Sequence, residues 1–185
     1  IRHGRPWGIL KWAMSLDGRI GLPNGCSKWI TDVPARNSVH QIRSKCDAVI
    51  VGGGTVRIDN PLLTSRGKSN SEPLRVVFSK TLDLPQSAQL WDTSVAKTLI
   101  AYGPEGDEAF FSNLPDGPEK LRLNSNDPSE LLTSLSKKGC NKILWECGPL
   151  LATSAIDANC VQELIVFIAP KLLGGKSAMS PLSSF

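Results

Sequence analysis

No stretch of this sequence is apolar for long enough to span a bilayer, and no signal-peptide pattern stands at its start. Basic runs are missing as well. The net charge of +4 comes from Lys and Arg scattered among acids, which argues against a nucleic-acid surface and leaves a mild pull on small polyanions. The five cysteines, Cys26, Cys46, Cys140, Cys147 and Cys160, form no C-x-x-C pair and are odd in number. Cys46, Cys147 and Cys160 sit in or beside apolar segments, so free thiols in a reducing compartment fit better than a disulfide framework. The two histidines, His3 and His40, have no ligand-like spacing to any cysteine, which argues against a metal site. Internal repeats and low-complexity tracts are also absent.

What remains is enough for one domain with its own core, since 185 residues bury apolar surface efficiently. The chain opens on Ile1 rather than Met, so a single domain over residues 1–185, cut from a longer protein at both ends, is the expectation.

Apolar runs alternate with helix-compatible segments. Trp7 to Met14 reads as a first strand, apolar except for Lys11 and followed by a turn-rich stretch to Thr31. Thr31 or Asp32 can cap a helix with Pro34 in its first turn, running to about Lys45 with Val39, Ile42 and Cys46 facing the core. Ala48 to Val51 is a second strand, and Asn60-Pro61 breaks the short helix after it. Further strands are expected at Leu74–Phe78, Lys97–Tyr102, Leu121–Leu123, Ile143–Trp145 and Glu163–Ala169. Asn126 or Asp127 caps a helix closed by Gly139, and Pro149 begins another. Ser65–Glu72 and Gly103–Glu119 read as surface loops. Strands apolar on both faces, alternating with helices, predict an α/β domain around a mainly parallel sheet, with ligands at the carboxyl ends of the strands.

Two glycine-rich turns stand at such ends: Gly52-Gly53-Gly54-Thr55 after one strand and Cys147-Gly148-Pro149 after another. Backbone N–H groups at a helix N-terminus can hold a phosphate there. Glu146 sits beside the second turn, as a ligand-site carboxylate or a plain strand-end acid. Asp59 lies one helical turn after the first, where it either serves a ligand or shapes the Asn60-Pro61 turn. Lys11 either snorkels outward or meets an anion. Arg36, His40 and Arg43 share one helix face. Such faces are usually solvated, but Arg43 lies closest to the next strand's turn. Arg66 is a second candidate anion ligand, its planar fork suited to phosphate. Trp29, in a polar segment, can stack on a flat ring, whereas Trp145 belongs to the core.

The ordered motifs resemble a known family. Lys11-Trp12-Ala13-Met14-Ser15-Leu16-Asp17-Gly18-Arg19, Ser27-Lys28-Trp29-Ile30-Thr31 and the run from Asp47 to Asp59-Asn60-Pro61-Leu62-Leu63-Thr64 carry the likeness. Glu146-x-Gly148-Pro149 and Ala169-Pro170-Lys171-Leu172-Leu173-Gly174 complete it. Together they resemble the reductase domain of the bifunctional riboflavin-biosynthesis deaminase/reductase, over the whole chain.

That resemblance implies a dihydrofolate-reductase-like fold and NADPH-dependent reduction of 5-amino-6-(5-phosphoribosylamino)uracil to its ribitylamino product. By motif, Ser27, Arg43, Leu63, Arg66 and Glu146 would contact the phosphorylated pyrimidine. Ala13, Trp29, Thr31, Thr55, Asp59 and the turn Gly148, Pro149, Leu150, Leu151, Ala152, Thr153 and Ser154 would contact NADPH. Lys11, Asp59 and Glu146 are the candidates for moving protons. A homodimer in cytoplasm or plastid stroma is implied too, with room for a fused deaminase ahead of Ile1.

The chain departs from the family pattern in places. Cys147 replaces a glycine, and Ser79-Lys80 stands where an acid followed by serine is usual. With no acid at that strand end, Lys80 is a candidate partner for the cofactor 2′-phosphate. The family's last strands and the deaminase zinc signature are not in this sequence. A pterin or folate reductase on the same fold, or a degenerate nucleotide-binding domain, are the alternative readings.

Overall fold

The computed structural model describes residues 4–22, 30–175 and 177–182. Within them the elements run β1 (Trp7–Ser15), α1 (Val33–Arg43), β2 (Ala48–Gly52), α2 (Gly53–Asp59), β3 (Leu74–Ser79), β4 (Thr98–Tyr102), β5 (Glu119–Arg122), α3 (Pro128–Lys137), β6 (Lys142–Trp145), α4 (Pro149–Asp157) and β7 (Glu163–Ala169). The strands form one seven-stranded sheet in the order β5-β4-β3-β2-β6-β1-β7, with every neighbouring pair parallel.

The central strands are buried on both sides, as a covered parallel sheet requires. Ala48, Val49, Ile50 and Val51 of β2 are all 0% exposed. Side chains alternate between faces. Ile50, Val76, Leu99 and Trp145 therefore pack with Leu131, Leu135 and Ala155 of α3 and α4. Val49, Val51, Val77, Ile100 and Leu144 pack on the other side with Val56, Trp91 and Phe110. Trp145 is core as expected, its indole N–H donating to the Cys160 carbonyl at 3.1 Å.

Local signals account for most element ends. Asp32 caps α1, accepting from the Ala35 N–H at 3.0 Å. The helix stops at Arg43, short of the predicted Lys45, because the N–H groups of Lys45 and Cys46 turn back to Ile42 and Arg43 in a tightened last turn. Asn60 ends α2 in the left-handed conformation at φ 42°. Asp127, not Asn126, caps α3.

Two features lie outside the hydrophobic pattern. Arg75 in β3 is fully buried, and its Nη2 donates to the carbonyls of Leu90, Asp92 and Ala96 at 3.0, 2.8 and 2.6 Å. A guanidinium thus gathers the loop before β4. The segment 103–119, expected as plain loop, contains a 3-10 turn at Glu108–Asn113 that buries Phe110 beside Trp91.

Candidate active site

Strand register places the charged residues. β1 and β6 pair Leu10 with Trp145, so the next residues, Lys11 and Glu146, stand side by side just past the end of β6. The Glu146 N–H donates to the Ile50 carbonyl at 2.9 Å, which fixes that corner against β2. Lys11 Nζ lies 3.3 Å from Glu146 Oε2. Of the two readings for Lys11, the structure takes the anion.

Arg43, in the last turn of α1, meets the same carboxylate with two nitrogens. Nε donates to Oε1 at 2.6 Å and Nη2 to Oε2 at 3.0 Å. Its Nη1 donates to the Thr64 carbonyl at 3.0 Å. Glu146 and Arg43 are largely buried, at 8% and 13% side-chain exposure. Burial alone would raise the Glu146 pKa, but Arg43 and then Lys11 outweigh it and hold the carboxyl at about 2. Burial likewise opposes the Arg43 charge, and Glu146 more than compensates, raising its pKa. The carboxylate is therefore ionised throughout the physiological range and holds no proton to give.

These groups open into a cleft of about 1040 Å³ at the carboxyl ends of the strands, where a parallel sheet is expected to bind ligands. Small-molecule sites span roughly 300–1,000 Å³, so this one is at the upper end, with room for two ligands. Its walls include Ala13, Thr31, Thr55, Asp59, Leu63, Arg66, Lys80, Gly148, Pro149, Leu150, Leu151 and Ser154 of the predicted set. Ala152 is 0% exposed and packs into the core, so its side chain cannot reach a ligand. Thr153 is half-buried and off the cleft wall. Ser27 and Trp29 lie outside the described residues.

The glycines divide by what faces them. A Cβ on Gly53 would press on Leu84 and Ser79 at 3.2 Å, so that glycine serves packing. A Cβ on Gly54 or Gly148 would meet nothing within 4 Å, and both line the cleft. Gly148 caps α4, whose first backbone bond runs from the Ala152 N–H to the Gly148 carbonyl at 3.0 Å. Pro149 has no N–H, so the Leu150 and Leu151 N–H groups are the free donors of that helix end. Cys147, in the family's glycine position, is buried, and burial with the neighbouring Glu146 pushes its thiol up to about 12. That thiol is inert.

The loop from Asn60 to Arg66 also lines the cleft. Asn60, Leu63 and Arg66 adopt φ of 42°, 56° and 56°, left-handed values unusual for non-glycine residues. Glu72 holds the loop by accepting from the Ser65 N–H and, at 3.0 Å, from the Ser65 hydroxyl. The sequence pattern gave Glu72 no such role, and Thr64 stood in it only as the end of a motif.

Lys80 is exposed and lies 3.3 Å from Glu105, which follows β4. Strand β3 itself supplies no acid at this end, as the sequence reads, but the segment after its sheet neighbour β4 brings one, Glu105, to Lys80. Cys46, Cys140, Cys147 and Cys160 are free and buried, and no metal-binding cluster occurs among the described residues. No helix among them is long and apolar enough to cross a membrane.

The sequence matches the model of the RibD C-terminal domain over residues 6–184. It is 48% identical over 183 residues to the riboflavin biosynthesis protein RibD of Synechocystis sp., covering 98% of this chain and 50% of that protein. Identity to the chloroplastic riboflavin biosynthesis protein PYRR of Arabidopsis thaliana is 39% over 178 residues, covering 96% of this chain and 30% of that one. A Thermotoga maritima crystal structure, described as a diaminohydroxyphosphoribosylaminopyrimidine deaminase/5-amino-6-(5-phosphoribosylamino)uracil reductase, superposes with a TM-score of 0.86 at 30% identity. That match covers 100% of this chain and 51% of the Thermotoga chain. The chain thus spans from under a third to about half of the length of these relatives, and the dihydrofolate-reductase-like α/β fold expected from the motifs is the one it shares with their reductase part. On the family match over nearly its whole length, this chain belongs to the RibD C-terminal domain family.

Proposed function

We propose that this domain reduces 5-amino-6-(5-phosphoribosylamino)uracil to its ribitylamino product with NADPH. The observation that carries the reading is the buried Lys11–Glu146–Arg43 cluster opening into a cleft between two unobstructed glycine turns. The residues present suit a dinucleotide. Gly54 and Gly148 leave room for close approach of pyrophosphate, and the N–H groups of Leu150 and Leu151 supply anion donors. Thr55 and Asp59 on α2 and Lys80 beyond β3 line the rest of that side.

When bound, NADPH supplies a hydride to the ribose carbon that the open-chain substrate presents. The chain's own task is orientation and proton supply. Lys11 Nζ carries three N–H donors, and its contact with Glu146 uses one. A substrate nitrogen gaining negative character as hydride arrives can take a proton from that ammonium, with Glu146 stabilising it until transfer. Glu146 stays a carboxylate, acting as acceptor and counter-charge. Arg43 holds it in place, and Asp59, half-buried on the cleft wall, remains a candidate to relay protons from solvent. The cationic wall of α1 and the 60–66 loop suits the substrate's terminal phosphate, for which a pterin has no counterpart. For the whole protein we propose a fusion of this reductase to a deaminase, the two activities that the Thermotoga description names for its own chain, and we propose that it assembles as a homodimer.

The test is NADPH oxidation by purified full-length protein with and without the phosphoribosylaminouracil. Substrate-dependent oxidation is expected. Oxidation of neither NADPH nor NADH in its presence overturns the reading and favours a degenerate binding domain.

A further inference from the structure

Glu72 belongs to none of the motifs and stands off the cleft wall, yet it is bonded to the loop that anchors the central cluster. The chain reverses at Ser65–Lys68. Arg66 and Gly67 both take positive φ there, 56° and 75°, and the Lys68 N–H returns to the Ser65 carbonyl at 3.3 Å. Pro73 then favours extended backbone at Glu72. The returning chain sets the Glu72 carboxylate on Ser65, with Oε2 accepting from the backbone N–H and Oε1 from the hydroxyl at 3.0 Å.

The Ser65 N–H and the Thr64 carbonyl belong to one peptide group. That carbonyl accepts from Arg43 Nη1 at 3.0 Å, while Nε and Nη2 of the same guanidinium are on Glu146. A single peptide is thus gripped from two sides, by a carboxylate at its N–H and by a guanidinium at its oxygen. An anion on the N–H polarises the amide and strengthens its oxygen as an acceptor. Thr64 is 4% exposed and Ser65 0%, so water hardly competes for either group. Against burial, Glu146 first and Glu72 after it favour the Arg43 charge.

We propose that Glu72 is a positioning residue of the active site, holding the 64–65 peptide so that the Thr64 carbonyl sets the plane of the Arg43 guanidinium. Through Arg43 it fixes the Glu146 carboxylate and the Lys11 ammonium. The assignment rests on the reading of this cluster as the reducing centre. Two parallel bonds to one carboxylate let a guanidinium hinge about that shared edge. A third bond, from the remaining nitrogen to a fixed carbonyl, removes the hinge. A plain loop brace would act differently: its loss would weaken binding along the 60–66 wall and would not depend on Arg43.

A double-mutant cycle separates the two roles. Glu72→Ala should lower kcat ~ten- to a hundredfold, because displacing a reacting group by about an ångström costs that much. Glu72→Gln keeps an oxygen for one of the Ser65 donors and should restore part of the loss. In an Arg43→Ala background, Glu72→Ala should cost less than about twofold more, since the group it serves is gone. Additive losses, or a raised KM with unchanged kcat, overturn the proposal.

NMR of the ¹⁵N-labelled protein reads the same point without turnover. A guanidinium held at three nitrogens should give separate, slowly exchanging Nη–H resonances, assigned to Arg43 by their loss in Arg43→Lys. In Glu72→Ala these should merge as the group rotates more freely, with Glu72→Gln intermediate. Thermal unfolding checks that each variant is folded, and Glu72→Gln carries both readings if Glu72→Ala is not. Unchanged Arg43 resonances in a folded variant sink the assignment. If the wild type does not oxidise NADPH with the phosphoribosylaminouracil, the functional reading fails by itself, and the resonances still decide whether Glu72 holds Arg43.

Discussion

Arg43 and Glu146 meet through two parallel contacts, 2.6 Å from Nε to Oε1 and 3.0 Å from Nη2 to Oε2, although they are 103 positions apart in sequence. A bidentate pair of this kind fixes the carboxylate's plane as well as its charge. Lys11, 3.3 Å away, is then held at a defined position relative to both. Arg43 thus positions Glu146 and, through it, Lys11.

Glu146→Gln tests the centre of this cluster. The amide cannot balance two cations, so kcat should fall ~100-fold or more. The uncompensated buried charges should also destabilise the fold, by up to about 3–5 kcal/mol. Steady-state kinetics with thermal unfolding check both parts, and an unchanged kcat with raised KM would make Glu146 a binding residue only.

Arg43→Ala should bring a new acid limb into the pH profile of kcat/KM. The arginine is the main force lowering the Glu146 pKa to about 2 against its burial. Without it the carboxyl rises into or above the ordinary range, and activity falls as pH drops through that value. Arg43→Lys, which keeps one charge but loses the fork, should show a smaller shift. A profile identical to wild type in both variants would mean that Arg43 does not govern Glu146.

The same shift makes a stability prediction. Because the folded-state pKa of Glu146 lies below its ordinary value of 4.5, its stabilisation is full above that value and is lost as pH falls toward about 2. Unfolding in denaturant, followed at pH 7, 4 and 3, should show a steeper acid loss in wild type than in Glu146→Gln. Parallel acid limbs would remove Glu146 from the account.

Cofactor choice should depend on Lys80 and Glu105 together. The 3.3 Å pair occupies both side chains at the surface, with 64% and 48% exposure. A 2′-phosphate must compete with Glu105 for Lys80, whereas a 2′-hydroxyl need not. Glu105→Gln should therefore tighten NADPH several-fold relative to NADH, and Lys80→Glu should reverse the preference. Calorimetric Kd values decide this, and equal effects on the two cofactors would place the pair away from the 2′ position.

Much of this arrangement was legible in one dimension. Strand positions follow from apolar runs, because a covered parallel sheet tolerates few polar residues. Helix starts follow from Asp32, Asp127 and Pro149, because capping and the proline ring act within a few residues. Glu146, Lys11 and the glycine turns were visible because each breaks or ends an apolar run. Arg75 was not, since its burial depends on three carbonyls from a loop that no local pattern describes.

The sequence by itself determined the order of elements, the α/β class, the family and most of the cleft's walls, because local chemistry and motif spacing carry that information. Only the tertiary structure decided how the charges are paired. Parallel register set Lys11 beside Glu146, and the end of α1 delivered Arg43 to the same carboxylate. Sheet order brought Glu105 from beyond β4 to Lys80. The 60–66 loop left Arg66 available while the Thr64 carbonyl engaged Arg43. Electrostatic partners are chosen by distance through space, and a linear pattern of charges does not contain those distances.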